Sequence, residues 1–216
     1  MYYAIGSLVA ALLLIFIFHK VFHIEKKSAR EIMMLVILIA LTVLGNLASV
    51  QVLPFQFGTA MVIISAVGFG PEAGFIVGAM ARLIVNFAQG QGPWTPWEMM
   101  GWGILGILTG VFFAKREKNT LKNDIILVGW TFLSVFLLYG TLMNLFTFLF
   151  AVRYAGNDSI SNIFIRTYTA GIPYDLLHAG RAAIAVFLLS NPVLKRIDRI
   201  KVKYGFYRIK RQRRTS

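Results

Sequence analysis

The stretch GQGPWTPWEMMGWG, residues 90–103, holds three tryptophans, two prolines, four glycines and one glutamate within fourteen residues. Apolar segments flank it on both sides. The chain around it has 216 residues, of which 57% are hydrophobic and 14% charged, and its mean hydropathy is +0.69. A soluble domain carries about 25% charged residues. The apolar excess comes in blocks of membrane-spanning length, and runs such as 32–50 and 125–152 show no period-2 alternation. The fold class expected is therefore all-α, a polytopic transmembrane helical bundle and not a β-barrel. Within it, 90–97 is a turn between two spans.

Working outward, spans are expected at about 3–19, 32–50, 58–70, 74–89, 98–114, 124–152 and 173–191, with FGPEAG (69–74) as a tight turn. The first segment makes a poor signal peptide, because it lacks a basic leader and HKVFHIEKK follows it. Lys20, Lys26, Lys27 and Arg30 follow span one, Lys115, Arg116, Lys118 and Lys122 follow span five, and ten more basic residues lie between Lys195 and Arg214. If all three regions are cytoplasmic, eighteen of the twenty-two Lys and Arg are inside. Seven spans follow, with the C-terminus cytoplasmic and segments 51–57, 90–97 and 153–172 outside. Six core spans plus a peripheral first helix is the alternative.

There are no cysteines, and His19, His23 and His178 form no HxxH or HExxH pattern, so neither thiol chemistry nor a metal site is expected. No GxxxxGK[ST] loop is present. The 90–97 turn reads either as a loop with interfacial tryptophans or as a ligand lid. In the second reading Pro93 and Pro96 fix the backbone, and Gln89, Gln91, Thr95 and Glu98 supply hydrogen bonds beside rigid tryptophan faces. Arg82, Asn86 and Gln89 share one helical face, as do Asp175, His178 and Arg181. Charges inside a span face the bundle interior or a cavity. Either arginine could pair with Asp175 or Glu72 to hold helices together, or serve a ligand or gating role. Asp175 and His178 could suggest acid–base chemistry, but no nucleophile accompanies them, so no catalytic residue is assigned. The pairs Gly74–Gly78 and Gly106–Gly110 are GxxxG patterns, suited to internal packing or to docking on another subunit. The tail RIKVKYGFYRIKRQRRTS (199–216) suits contact with anionic lipid better than nucleic acid.

Residues 57–110, with the run GFGPEAGFIVGA…NF…GQGPWTPW…WG…G, resemble a signature stretch of the substrate-binding S components of energy-coupling factor (ECF) transporters. GIPYDLLHAGRAA (171–183) resembles the start of the last span in the same group. The resemblance implies a six-helix core that binds a vitamin at the extracellular side and topples in the prokaryotic cell membrane to release it. It also implies partners, a membrane-embedded T component and two cytoplasmic ATPase subunits that use the ATP, and no intrinsic cofactor. The 90–97 loop is most similar to the cobalamin-type subgroup, although flavins and other aromatic vitamins also fit. Two departures stand out. Span one is extra, and the family's AxxxA docking pattern is broken because Leu44 follows Ala40 by four; Ala40, Gly45 and Ala48 remain as small residues for docking. The organisation expected is an extra helix and basic linker (1–30), the core (31–193) and a basic tail (194–216). Phe55, Gln56, Asn86, Gln89, Gln91, Trp94, Trp97 and Asn144 are expected to face the ligand. A stand-alone secondary transporter and a lipid-modifying enzyme are the other function classes.

Overall fold

A computed structural model describes residues 2–24, 28–51, 55–115 and 121–204. Among them the chain is helical, with no strand: α1 (Tyr2–Ile24), α2 (Ala29–Gln51), α3 (Phe57–Phe69), α4 (Pro71–Gln89), α5 (Thr95–Phe113), α6 (Leu121–Ser134), α7 (Thr141–Ala151) and α8 (Ile160–Tyr204). A π-helical stretch, Val135–Gly140, joins α6 to α7 without a break, so the path crosses the bundle seven times. Five of the seven are long and apolar enough to span a membrane. Residues 52–54 of the 51–57 segment and the basic tail from residue 205 lie outside the described residues.

The helix ends follow from local chemistry. Ser28 opens α2 with a capping box: its N–H donates to Glu31 Oε2 at 2.7 Å, and the Glu31 N–H donates back to Ser28 Oγ at 3.3 Å. One residue, Gly70 at φ 96°, separates α3 from α4, and Pro71 starts the new helix where its missing N–H costs nothing. Gly90 at φ 117° ends α4. Pro96 and Glu98 lie in the first turn of α5.

Every residue of α3 from Gly58 to Gly68 is buried, so this short helix is the bundle's axis and is apolar all round. α2, α4, α5 and α8 pack around it. α4 and α5 approach closely along their glycines, with Gly74 of one GxxxG pattern against Gly106 of the other, Gly78 against Trp102 and Gly110 against Pro71. A Cβ on Gly74 would sit 2.7 Å from Gly106 O, and one on Gly78 2.7 Å from the Trp102 carbonyl carbon. The small residues are thus spent on internal packing.

α8 differs from expectation. The sequence suggested a loop over 153–172 and a span from 173, but the helix starts at Ile160 and runs 45 residues through Pro173 and Pro192. Pro173 reads equally as a helix start or as an interior proline. Packing on α7 decides it, with Phe148 edge-on to Phe164 at 5.5 Å and Gly171 lying against Asn144. The connection from α7 shrinks to a 3-10 turn (Val152–Tyr154) and the few residues before Ile160.

Candidate binding site

The polar side chains converge at the end of the bundle that carries the α4–α5 turn. Arg82 of α4 forms an ion pair with Glu98 of α5, and both side chains are mostly shielded, at 15% and 11% exposure. Asn86, one turn along α4, donates to the other carboxylate oxygen of Glu98 at 2.6 Å and to Thr95 Oγ1 at 3.1 Å. Thr95 in turn donates to Gln91 Oε1 at 2.8 Å. The guanidinium of Arg82 also lies over the Trp102 ring at 5.6 Å. A buried charge is tolerated only when paired and hydrogen-bonded, and here the carboxylate is engaged at both oxygens. The expected partners of Arg82 were Asp175 or Glu72; the structure gives it Glu98 instead. The α4–α5 turn brings Glu98 opposite Arg82 although the two lie 16 positions apart in sequence.

Beneath this network lies a second layer of buried polar groups. Asn46 of α2 and Trp102 of α5 both lie against Gly58 of α3. Trp102 shares a buried cluster with Tyr139 of the π-helical stretch, whose ring meets His178 of α8 edge-on at 5.2 Å. His178 Nε2 pairs with Thr59 Oγ1 at 3.1 Å. Asn46 Oδ1, Arg82 Nε and His178 Nδ1, together with Ser65 Oγ of α3 and Ser190 Oγ and Asn191 Oδ1 of α8, are buried with no hydrogen-bond partner among the described residues, while Trp102 Nε1 lies beside the Tyr139 hydroxyl. Unmatched buried polar atoms are costly, about 1–3 kcal/mol each. π-helical insertions recur at functional sites, and this one presents Tyr139 to the interior.

The residues singled out from sequence fall into separate groups. Asn86, Gln91 and Thr95 join the Glu98 network. Gln89 is exposed, and Trp94, 38% exposed, folds its ring over Gly92. Trp97 turns away from this network: it is buried, donates from Nε1 to Ser7 Oγ of α1 at 3.1 Å, and packs on Phe146 of α7. Phe55 is half-buried against Phe57, and the Gln56 N–H donates to Arg181 O of α8 at 3.4 Å. Asn144 donates to Asp175 Oδ2 at 2.7 Å. Ala40 and Ala48 are exposed on α2, whereas Gly45 lies under Phe57. Sequence reasoning did not single out Asn46, Thr59, Trp102 or Tyr139, and it placed Glu98 among the hydrogen-bonding groups of the lid without foreseeing its pairing with Arg82. A signal existed for Asn46, an amide inside the apolar run LTVLGNLASV (41–50).

Residues 26–195 match the family model described as ECF-type riboflavin transporter, S component. The chain belongs to this S-component family. It is a substrate-binding membrane subunit of a vitamin transporter, a kind of protein that is not an enzyme. The S component is similar to a UPF0397 protein of Vibrio atlanticus, 25% identical over 179 residues that cover 78% of this chain and 93% of the relative. A UPF0397 protein of Aliivibrio salmonicida is 30% identical over 135 residues, covering 57% of this chain and 73% of the relative. No solved structure matches. The matched region takes in α2 to α7 and most of α8; α1 lies before it.

Proposed function

We propose that this S component captures a flat heteroaromatic vitamin, riboflavin foremost, at the extracellular side of the cell membrane. It then delivers the vitamin to the cytoplasm with a T component and two ATPase subunits. The observation that carries this reading is the group of unmatched polar atoms on Asn46, Arg82 and His178 beside the rings of Trp102 and Tyr139. A planar ring system edged with carbonyl and N–H groups would complement both features. Asn86 and the Glu98 network would form the inner wall of the entrance, with Gln89, Gln91 and Trp94 at the rim and Phe55, Gln56 and Asn144 at its margin near α8.

The excess of basic residues at and just beyond the C-terminal ends of α1, α5 and α8 supports a cytoplasmic C-terminus. The exposed face of α2, with Ala40, Leu41, Leu44 and Ala48, is suited to docking on the T component. Residues 1–30, 31–193 and 194–216 would then serve as accessory helix and linker, binding core and cytoplasmic tail.

Cobalamin is the second cargo to test, because Trp94 and the amides of Gln89 and Gln91 are exposed at the rim and could meet a ligand too large to enter fully. The chain would be purified in detergent and titrated with riboflavin, following quenching of flavin fluorescence, and with cobalamin by calorimetry. Saturable riboflavin binding at micromolar concentration or below supports the reading, and tight binding of cobalamin alone moves the cargo. Folded protein that binds neither, nor any compound of a wider vitamin panel, would sink it.

A further inference from the structure

α1 lies outside the family match, yet it is docked in register on the α4–α5 end of the bundle. Its inward stripe is Tyr3, Gly6, Ser7, Ala10, Leu14 and Phe18, the spacing of a helix that packs through one narrow seam. Ala10 and Leu14 are buried, while Leu8, Leu12, Ile15 and Phe16 remain exposed for lipid. Phe18 packs on Phe75 of α4 at 4.9 Å, and the Tyr3 ring meets Phe150 edge-on at 5.2 Å.

One hydroxyl ties this helix to the turn. Ser7 Oγ donates to the carbonyl of Pro93 at 2.8 Å and accepts from Trp97 Nε1 at 3.1 Å. Pro93 belongs to the turn itself, and Trp97 is adjacent to Glu98. The indole therefore faces α1 while the next side chain faces the Arg82–Asn86 network. Gly6 leaves room for the indole, since a Cβ there would sit 2.8 Å from Trp97 Cζ2. Below the turn, the Thr95 N–H donates to Gly92 O at 3.0 Å and the Gly92 N–H to Thr95 Oγ1 at 3.3 Å, so the turn closes directly over Asn86.

We propose that α1 is an intramolecular strap, and Ser7 the positioning residue through which it holds the α4–α5 turn closed over the Arg82–Asn86–Glu98 network. The strap sets how often the entrance opens, which rests on the reading above that the ligand enters at this end. A helix serving only as an anchor would need neither the double hydrogen bond nor the space at Gly6.

The test is amide hydrogen exchange on the full chain in detergent with no vitamin present, so that it does not depend on the cargo. Ser7→Ala removes both hydrogen bonds and is expected to speed exchange across residues 90–98 about tenfold, with α3 amides unchanged. Ser7→Thr, which keeps the hydroxyl, restores slow exchange. Gly6→Leu, which wedges the indole away, gives the same acceleration by a second route. Wild-type protection of 90–98 in both Ser7→Ala and Gly6→Leu would overturn the proposal. So would acceleration spread equally over α3, which would mean general loosening of the fold.

Discussion

Asn86 donates to Glu98 Oε2 at 2.6 Å, while Arg82 takes the other oxygen of the same carboxylate. Two residues one turn apart on α4 thus grip one acidic group at the start of α5 and fix the pitch of the turn between them. Removing one partner of a buried pair leaves the other charge uncompensated, which costs about 3–5 kcal/mol. Glu98→Ala should therefore lower the melting temperature of the detergent-solubilised protein sharply. The double variant Arg82→Met with Glu98→Leu should recover most of the loss. If Glu98→Ala melts like wild type, the network does not hold the turn.

The two tryptophans of the turn should separate in their effects. Trp97 is buried against α1 and α7, so Trp97→Ala opens a cavity and is expected to destabilise by about 3–5 kcal/mol. Trp94 is 38% exposed at the rim, so Trp94→Ala should leave the melting temperature nearly unchanged and act on vitamin affinity instead. Thermal melts and titrations of both variants decide it; equal destabilisation would contradict the different placements of the two rings.

Much of the architecture was legible because it rests on local signals. Apolar runs set the number of crossings, and Gly70, Pro71, Gly90 and Pro96 marked turns that the structure keeps. The start of α8 was not legible, because Pro173 is compatible with either helix start or interior and only packing on α7 resolves the choice. In the candidate site, the face shared by Arg82 and Asn86 could be read from i, i+4 spacing. Their partner could not, since Glu98 reaches them through the geometry of the turn. The second layer was harder still. Asn46, Thr59, Trp102, Tyr139 and His178 come from five separate segments, and nothing local in sequence says that they meet.

That second layer yields its own prediction. Asn46→Leu removes an unmatched polar atom while keeping much of the side-chain bulk. In the absence of ligand it should hold or raise stability, since an unmatched buried group costs about 1–3 kcal/mol. In titrations it should weaken vitamin binding by about tenfold or more, because a ligand group then loses its partner. Stability that rises with affinity unchanged would mean the atom is a packing defect, not a ligand contact.

The last prediction concerns α2. Ala40 and Ala48 are exposed among Met33, Ile37, Leu41 and Leu44, so one side of this helix is apolar and largely uncovered by the other described residues. Small residues let helices approach closely in a bilayer. Replacing both alanines with Leu would hold a partner helix away without disturbing the interior. Vitamin binding by the isolated S component should be unchanged, and vesicle uptake with the T component and ATPases should fall to background. Gly45 serves as the internal counterpart, because a Cβ there would sit 3.1 Å from Phe57 Cβ; Gly45→Leu should damage folding and binding together. Full uptake by the double alanine variant would place the docking surface elsewhere on the bundle.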